Sequence, residues 1–353
     1  MKIIQARNVN HAVAQTIPYL LKEGVPEDSR NGKVIVAPGP VMTVYENPCE
    51  RVLFSPLRDA NPFFHLMESL WMLVGRMDLA WPEFFNKRFA SFSDDGKVVH
   101  GAYGYRWRSW WGFDQIRAIV DELKADPKSR RCVLSMWAPI GDLVSFKIDE
   151  KQLGGLKSKD VPCNTHAYFD LRGGRLNMTV CNRSNDAIWG AYGANAVHFS
   201  VLLEYMAAWI GVPVGVYRQM SNNFHAYTDV YDEDKLAHIA FEASETDYYT
   251  NPTSGRLFEA GRPTVRPYPL FREQGEKAAV AWNEELSFFM ANPTLMYGVR
   301  PTFFNEIAIP MYNAWAERKD KLSNGLHWIE RMPDCDWKFA CISWIARREE
   351  RKN

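Results

Sequence analysis

Neither sign of charge dominates this chain: 42 lysines and arginines balance 42 aspartates and glutamates over 353 residues, for a formal net charge of zero. That balance excludes a whole-chain basic field able to hold a nucleic-acid polymer, although a mononucleotide needs only a few local arginines. No run approaches the roughly 18–20 apolar residues that span a bilayer, so no membrane partner is expected. The first 21 residues lack the apolar core and small-residue cleavage site of a secretory signal. The six cysteines (Cys49, Cys132, Cys163, Cys181, Cys335, Cys341) contain no CxxC pair. They read as reduced thiols of a cytoplasmic protein, with neither a disulfide framework nor a metal site. Internal repeats, low-complexity tracts and linkers are also lacking.

What is present is a thick apolar core. Apolar residues make up 46% and aromatics 14%, with 13 Trp, which suits a large core or a large buried interface. Asn10 is placed to cap a first helix carrying Ala12, Val13, Ile17 and Leu20. Residues 34–36 and 41–45 read as short strands, and residues 62–75 as a helix apolar almost all round, with Glu68 in its middle. Residues 96–107 read as an ordered Gly- and Tyr-rich loop, residues 116–123 as a helix stripe and residues 132–137 as a strand. Residues 147–160 read as a mobile loop. Residues 166–171 and 176–180 form a hairpin about Gly173-Gly174. Residues 194–210 form a second apolar helix and residues 212–220 a strand. After Thr250 come amphipathic helices over 270–290, 304–318 and 334–348. Strands and helices alternate without a βαβ rhythm, which favours an α+β fold.

Several polar residues sit on these apolar elements. A lone cysteine such as Cys163, in Pro162-Cys163-Asn164, is more often buried filler than nucleophile. A carboxylate in an apolar helix must be paired, protonated or catalytic, so Glu68 is either a structural hydrogen-bond partner or part of a proton relay. The run Asn182-Arg183-Ser184-Asn185-Asp186 is either a capping turn or a site for an anion and a donor-rich ring. The run from Ser221 to Tyr227 ends a strand with polar groups. Arg30, Arg130 and Arg131 read as surface charges or as a phosphate clamp.

The order and spacing of these motifs resemble the thymidylate synthase and pyrimidine-nucleotide hydroxymethylase superfamily. The central block is Pro162-Cys163, Arg183-Ser184-Asn185-Asp186, Gly190 with Asn195, and His225-Ala226-Tyr227. Upstream stand Glu68-Ser69-Leu70-Trp71-Met72-Leu73, Tyr103-Gly104-Tyr105-Arg106-Trp107, Arg130-Arg131 and Arg30.

The resemblance implies a large mixed sheet covered by helices. It also implies a catalytic domain over residues 1–250, with residues 251–353 as a helical extension packed on it. It implies that Cys163 attacks C6 of a pyrimidine nucleoside monophosphate and that 5,10-methylenetetrahydrofolate supplies the carbon. Arg30, Arg183 and Ser184 would hold the phosphate, with Arg130 and Arg131 supplied by the partner of a homodimer. Asn195 would read the base, and His225 and Tyr227 the sugar. Asp186, Trp71 and Gly190 would bind the folate, while Glu68 and Tyr103 would manage protons. The arginines near Cys163 should lower its pKa.

Departures from the family bear on the product. Asn164 and Asn185 stand where synthases have His and Cys, one extra residue separates Gly190 from Asn195, and the chain ends in charged residues instead of an apolar tail. With Ser93-Asp94-Asp95-Gly96, the two asparagines offer polar groups to orient a water. These features favour C5 hydroxymethylation over the reductive methylation of a thymidylate synthase, and the amide of Asn195 favours dUMP before dCMP or CMP. A non-catalytic nucleotide- or RNA-binding relative is the alternative of another class.

Overall fold

The computed structural model of the protein describes residues 1–147, 152–155, 158–251, 265–318 and 322–351. Strand β1 (Lys2–Ala6) leads into helix α1 (Val9–Glu23), then β2 (Val25–Ser29), β3 (Gly32–Val36) and β4 (Val41–Tyr45). Helices α2 (Pro62–Leu73), α3 (Ala80–Phe85), α4 (Tyr103–Arg108) and α5 (Gln115–Ala125) follow. Next come β5 (Val133–Ser135), the short α6 (Pro139–Asp142) and a small hairpin, β6 (Val144–Lys147) with β7 (Gln152–Gly155). The long strands β8 (Asn164–Arg172) and β9 (Arg175–Asp186) turn at Gly173-Gly174, both with positive φ, and α7 (Asn195–Ile210) precedes β10 (Val214–Tyr227). The remaining helices are α8 (Glu233–Glu245), α9 (Glu276–Ala291), α10 (Ile309–Glu317), α11 (Leu326–Glu330) and α12 (Asp336–Glu350).

The main sheet is mixed and runs β1-β4-β10-β9-β8-β5. Pairs β1–β4 and β10–β9 are parallel; β10–β4, β8–β9 and β5–β8 are antiparallel. One edge of β10 is shared: β4 pairs with Tyr217–Ser221 and β3 with His225–Tyr227, so the β2–β3 hairpin hangs from the end of β10. Alternate residues of β10 (Tyr217, Gln219, Ser221) are buried, as a sheet with one covered face requires. Helix α7 is buried from Asn195 to Trp209 because it lies between the sheet and α2, α5 and α9. On the other face Val133 and Tyr168, opposite each other in register, are 36% and 45% exposed.

Helices beyond residue 265 share this core. Phe63 of α2 meets Trp315 at 5.4 Å and Trp344 at 5.7 Å, and Tyr205 of α7 meets Trp282 at 5.6 Å. Each such aromatic contributes about 2–3 kcal/mol by burial. The charged end of α12 is itself tied down: Arg348 and Arg351 lie 2.7 and 2.9 Å from Asp59, and Arg347 3.6 Å.

Some expectations are corrected. Asn8, not Asn10, caps α1, accepting from the His11 N–H at 3.0 Å. Asn10 is turned inward, donating to the Val52 carbonyl and accepting from the Phe54 N–H. The second half of the expected 96–107 loop is helix α4. There the backbone of Gly104 presses on α2 so closely that a Cβ would lie 2.1 Å from the Met72 carbonyl oxygen. Residues 148–151 and 156–157 of the expected mobile loop lie outside the described residues, and its described part contains β7. Helix α8 was not anticipated.

Candidate active site

Strand register gathers the polar runs at one end of the sheet. Asn164, the first residue of β8, lies opposite Asn182. Parallel pairing of β9 with β10 sets Ser184 beside Asn223 and Asp186 beside His225. Asn195 opens α7 at the same end. The β2–β3 turn brings Arg30 there too, with Asn31 donating to the Tyr227 hydroxyl at 3.5 Å.

Cys163 sits at the entry to β8. Its carbonyl accepts from the Arg183 N–H at 2.9 Å. The Arg183 guanidinium is held on the same turn, donating to the carbonyls of Pro162 (2.8 Å) and Val161 (2.9 Å), and reaches Cys163 Sγ at 3.8 Å. The expected lowering of the thiol pKa is corrected: burial pushes it above its ordinary value, Arg183 and Arg30 oppose this, and Asp160 adds to it. Desolvation of the thiolate outweighs two cations. The Tyr103 hydroxyl accepts from the backbone N–H groups of Cys163 (3.1 Å) and Asn164 (3.2 Å), so its own proton points elsewhere. Burial pushes the Tyr103 phenol well above its ordinary value, which keeps it a proton donor.

Glu68 is buried and its Oε2 lies 3.1 Å from His198 Nε2. His198 is a site residue that the sequence reading missed. The available signal was its position three residues after Asn195, on one face of α7. His65, also buried, is held well below its ordinary pKa by burial, with Arg58 and His198 adding to the shift. Asp186 Oδ1 caps the turn before α7, accepting from the N–H groups of Ile188 (3.0 Å) and Trp189 (2.5 Å). Burial raises the Asp186 carboxyl despite those bonds and the nearby His225 and Arg58. His225 bonds Asn223 at 2.8 Å through Nδ1, and burial lowers its pKa. The Trp189 ring, 37% exposed, lies 5.7 Å from that of Tyr227.

Other candidates are not brought together. Arg130 and Arg131 precede β5, whose antiparallel pairing puts them beside the far end of β8. Six or so strand residues, about 20 Å, separate them from Cys163. Within the chain Arg131 pairs with Glu122 at 2.8 Å. Trp71 is a core residue, 2% exposed, with its indole N–H on Asp78 at 3.3 Å. Gly190 serves the packing of neighbouring amides, since a Cβ there would lie 2.6 Å from Asn185 Oδ1. Asn164 and Asn185 are bonded to other buried amides instead of being turned to a water, and Ser93 bonds Asp95 and Val98 within its own loop. Among the described residues, no group of three or more His, Cys, Asp or Glu side chains could hold a metal ion, and no helix is long and apolar enough to cross a membrane.

Comparison with known proteins gives a concordant picture. The family model described as thymidylate synthase matches residues 21–244. A deoxyuridylate hydroxymethyltransferase of Pseudomonas phage M6 is 46% identical, over 99% of this chain and 95% of its own length. One of Bacillus phage SP01 is 40% identical over 60% of this chain and 55% of its own. A thymidylate synthase of Symbiobacterium thermophilum is 30% identical over 52% of this chain and 66% of its own. The crystal structure of thymidylate synthase from T4 phage superimposes with a TM-score of 0.56 at 17% identity, covering 82% of this chain and 98% of that one, which is a likeness of fold.

Proposed function

The chain belongs to the thymidylate synthase family, and on that premise we propose that it is a one-carbon transferase that hydroxymethylates C5 of dUMP. The observation that carries this reading is the 46% identity to a deoxyuridylate hydroxymethyltransferase across 99% of the chain, because it includes the helices beyond the family's matched segment, 21–244. In this reading residues 1–250 form the catalytic domain, and residues 251–353 are an extension packed on it.

The geometry supports the following roles. The Cys163 thiolate adds to C6 of the uracil, and Arg183, at 3.8 Å, stabilises the thiolate form against burial. Arg30, Arg183 and Ser184 receive the 5′-phosphate. Asn195 reads the base, and His225 and Tyr227 face the sugar. 5,10-Methylenetetrahydrofolate supplies the carbon as an electrophile. Its donor-rich pterin fits the half-buried Asp186 carboxyl, which takes hydrogen-bond donors, beside the exposed Trp189 ring. Glu68, paired with His198, takes the proton of the water that adds to the one-carbon unit, and Tyr103 keeps a proton to give. C5 bonds the methylene carbon and loses its proton as tetrahydrofolate departs, that water adds to the resulting exocyclic methylene, and expulsion of the Cys163 thiolate from C6 restores the C5–C6 double bond.

A homodimer suits the distant Arg130 and Arg131 and the half-open sheet face at Val133 and Tyr168. In it the arginine pair reaches the neighbour's phosphate.

The test is the product. Incubation with dUMP and 5,10-methylenetetrahydrofolate should give a nucleotide heavier by CH2O, with folate left at the tetrahydro level. A nucleotide heavier by CH2, with an equal amount of dihydrofolate, would instead identify a thymidylate synthase.

A further inference from the structure

Uracil and cytosine offer a carboxamide the same geometry with opposite polarity. Uracil presents an acceptor at O4 beside the N3–H donor; cytosine presents the N4 amino donor beside the N3 acceptor. An amide free to turn over takes either base, so Asn195 discriminates only if something holds it one way round.

The structure holds it with a line of buried amides, each donating to the next. Asn182 Nδ2 donates to Asn164 Oδ1, and Asn164 Nδ2 to Asn195 Oδ1 at 3.2 Å. Asn195 Nδ2 donates to Asn185 Oδ1 at 3.1 Å, and Asn185 Nδ2 to Gln219 Oε1 at 2.8 Å. Gln219 Nε2 then donates to the Tyr217 hydroxyl at 2.7 Å and faces the Ala191 carbonyl at 3.5 Å. These five amide residues are at most 7% exposed, so bulk water is not at hand to relieve a mismatched pair.

Such a line turns over only as a whole, because reversing one amide sets oxygen against oxygen and N–H against N–H. The hydroxyls of Tyr217 and of Ser221, which Asn185 Nδ2 also meets at 3.0 Å, accept or donate and tolerate either direction. The Ala191 carbonyl only accepts, so at 3.5 Å it favours the nitrogen side of Gln219, and that direction runs on to Asn195. At the far end Asn182 Oδ1 is buried with no hydrogen-bond partner among the described residues, so the line ends in a spare acceptor. Gly190 leaves the room in which Asn185 meets Asn195.

We propose that Asn164, Asn182, Asn185 and Gln219 are positioning residues that lock the polarity of Asn195 and thereby make it choose between uracil and cytosine. The inference rests on the reading of Asn195 as the base-contacting residue. Asn195 spends one N–H and one lone pair on the line and keeps one of each for the base. A well-formed pair of such bonds discriminates by roughly ten- to a hundredfold.

The test is the ratio of dUMP to dCMP affinity, measured by calorimetry on the full-length protein. Asn185→Asp, an acceptor only, still receives Asn195 Nδ2 and should keep the parent ratio. Asn185→Ala and Gln219→Met release the lock and should shrink the ratio about tenfold or more. Asn164→Asp sets an acceptor against Asn195 Oδ1 and should move the ratio toward dCMP. A merely structural line would weaken both nucleotides alike, and equal ratios in all four variants would overturn the proposal. If Asn185→Ala does not fold, Asn185→Ser and Gln219→Met carry the same comparison. A parent that prefers dCMP, with ratios moving as the lock requires, would refute the choice of dUMP and leave the lock standing. A parent that prefers dUMP, with ratios unmoved, would do the reverse. Binding of neither nucleotide would overturn both.

Discussion

Replacing Asp336 with Asn should abolish one component of the protein's pH-dependent stability. Asp336 is 1% exposed and joins three stretches of chain: its carboxylate accepts from the Tyr249 hydroxyl at 2.8 Å and from the N–H groups of Tyr268 (3.1 Å) and Trp337 (2.9 Å). Burial outweighs those bonds and the nearby Arg51, and pushes its pKa up to about 7. In the unfolded chain the same carboxyl titrates near 4. Below that value both states hold the proton and the contribution to stability is complete. Between about pH 4 and 7 only the folded state keeps it, so stability falls as pH rises, by about 1.4 kcal/mol per unit, and levels off above 7. The full change is about 4 kcal/mol. Asp336→Asn lacks this slope. Between about pH 5 and 8 the stability of the variant relative to the parent should therefore improve by roughly 3 kcal/mol. Urea titrations of both proteins across that range measure the difference, in which titrations common to both cancel. Parallel curves for the two proteins would refute the reasoning.

Other outcomes follow from the site. Cys163 should be alkylated by iodoacetamide with a midpoint above the ordinary thiol value of about 8.5, and Arg183→Gln should raise that midpoint further; a parent midpoint well below that value would contradict the dominance of burial. Glu68→Gln should lower kcat by about a hundredfold with dUMP affinity nearly unchanged, and His198→Ala should fall in the same direction; full activity in the Glu68 variant removes it from proton transfer. Cys163→Ala should be inactive yet bind dUMP, and so should the Arg130→Ala, Arg131→Ala double variant be inactive. Mixing the two under subunit exchange should restore turnover at one site in each mixed dimer, and no recovery would count against shared sites.

Local patterns were legible where one element decides its own structure. Helix α2 declared itself because 62–73 is apolar all round, and the β8–β9 hairpin because two glycines allow its positive-φ turn. Cys163, Arg183 and Asp186 were legible through motif order. What stayed hidden depends on contacts between distant segments. Asn10 looks like a cap, yet Val52 and Phe54 claim it. The burial of Trp71 follows from the elements packed around α2 and not from its motif. The thiol pKa misled because counting arginines ignores desolvation. The amide line joins positions 164, 182, 185, 195 and 219, a spacing with no local period, and only the pairing of β8, β9 and β10 with the start of α7 beside them brings these positions together.

The approach of Gly104 to α2 bears on how this protein can evolve. Any side chain at that position would drive α4 away from Met72 and carry Tyr103, one residue earlier, off the backbone it supports at Cys163. In a saturation library, position 104 should therefore behave as though it were chemically essential while touching no reactant. Lineages exploring new substrates would vary strand β2, exposed along its whole length, long before they varied this hydrogen-sized seam between two helices.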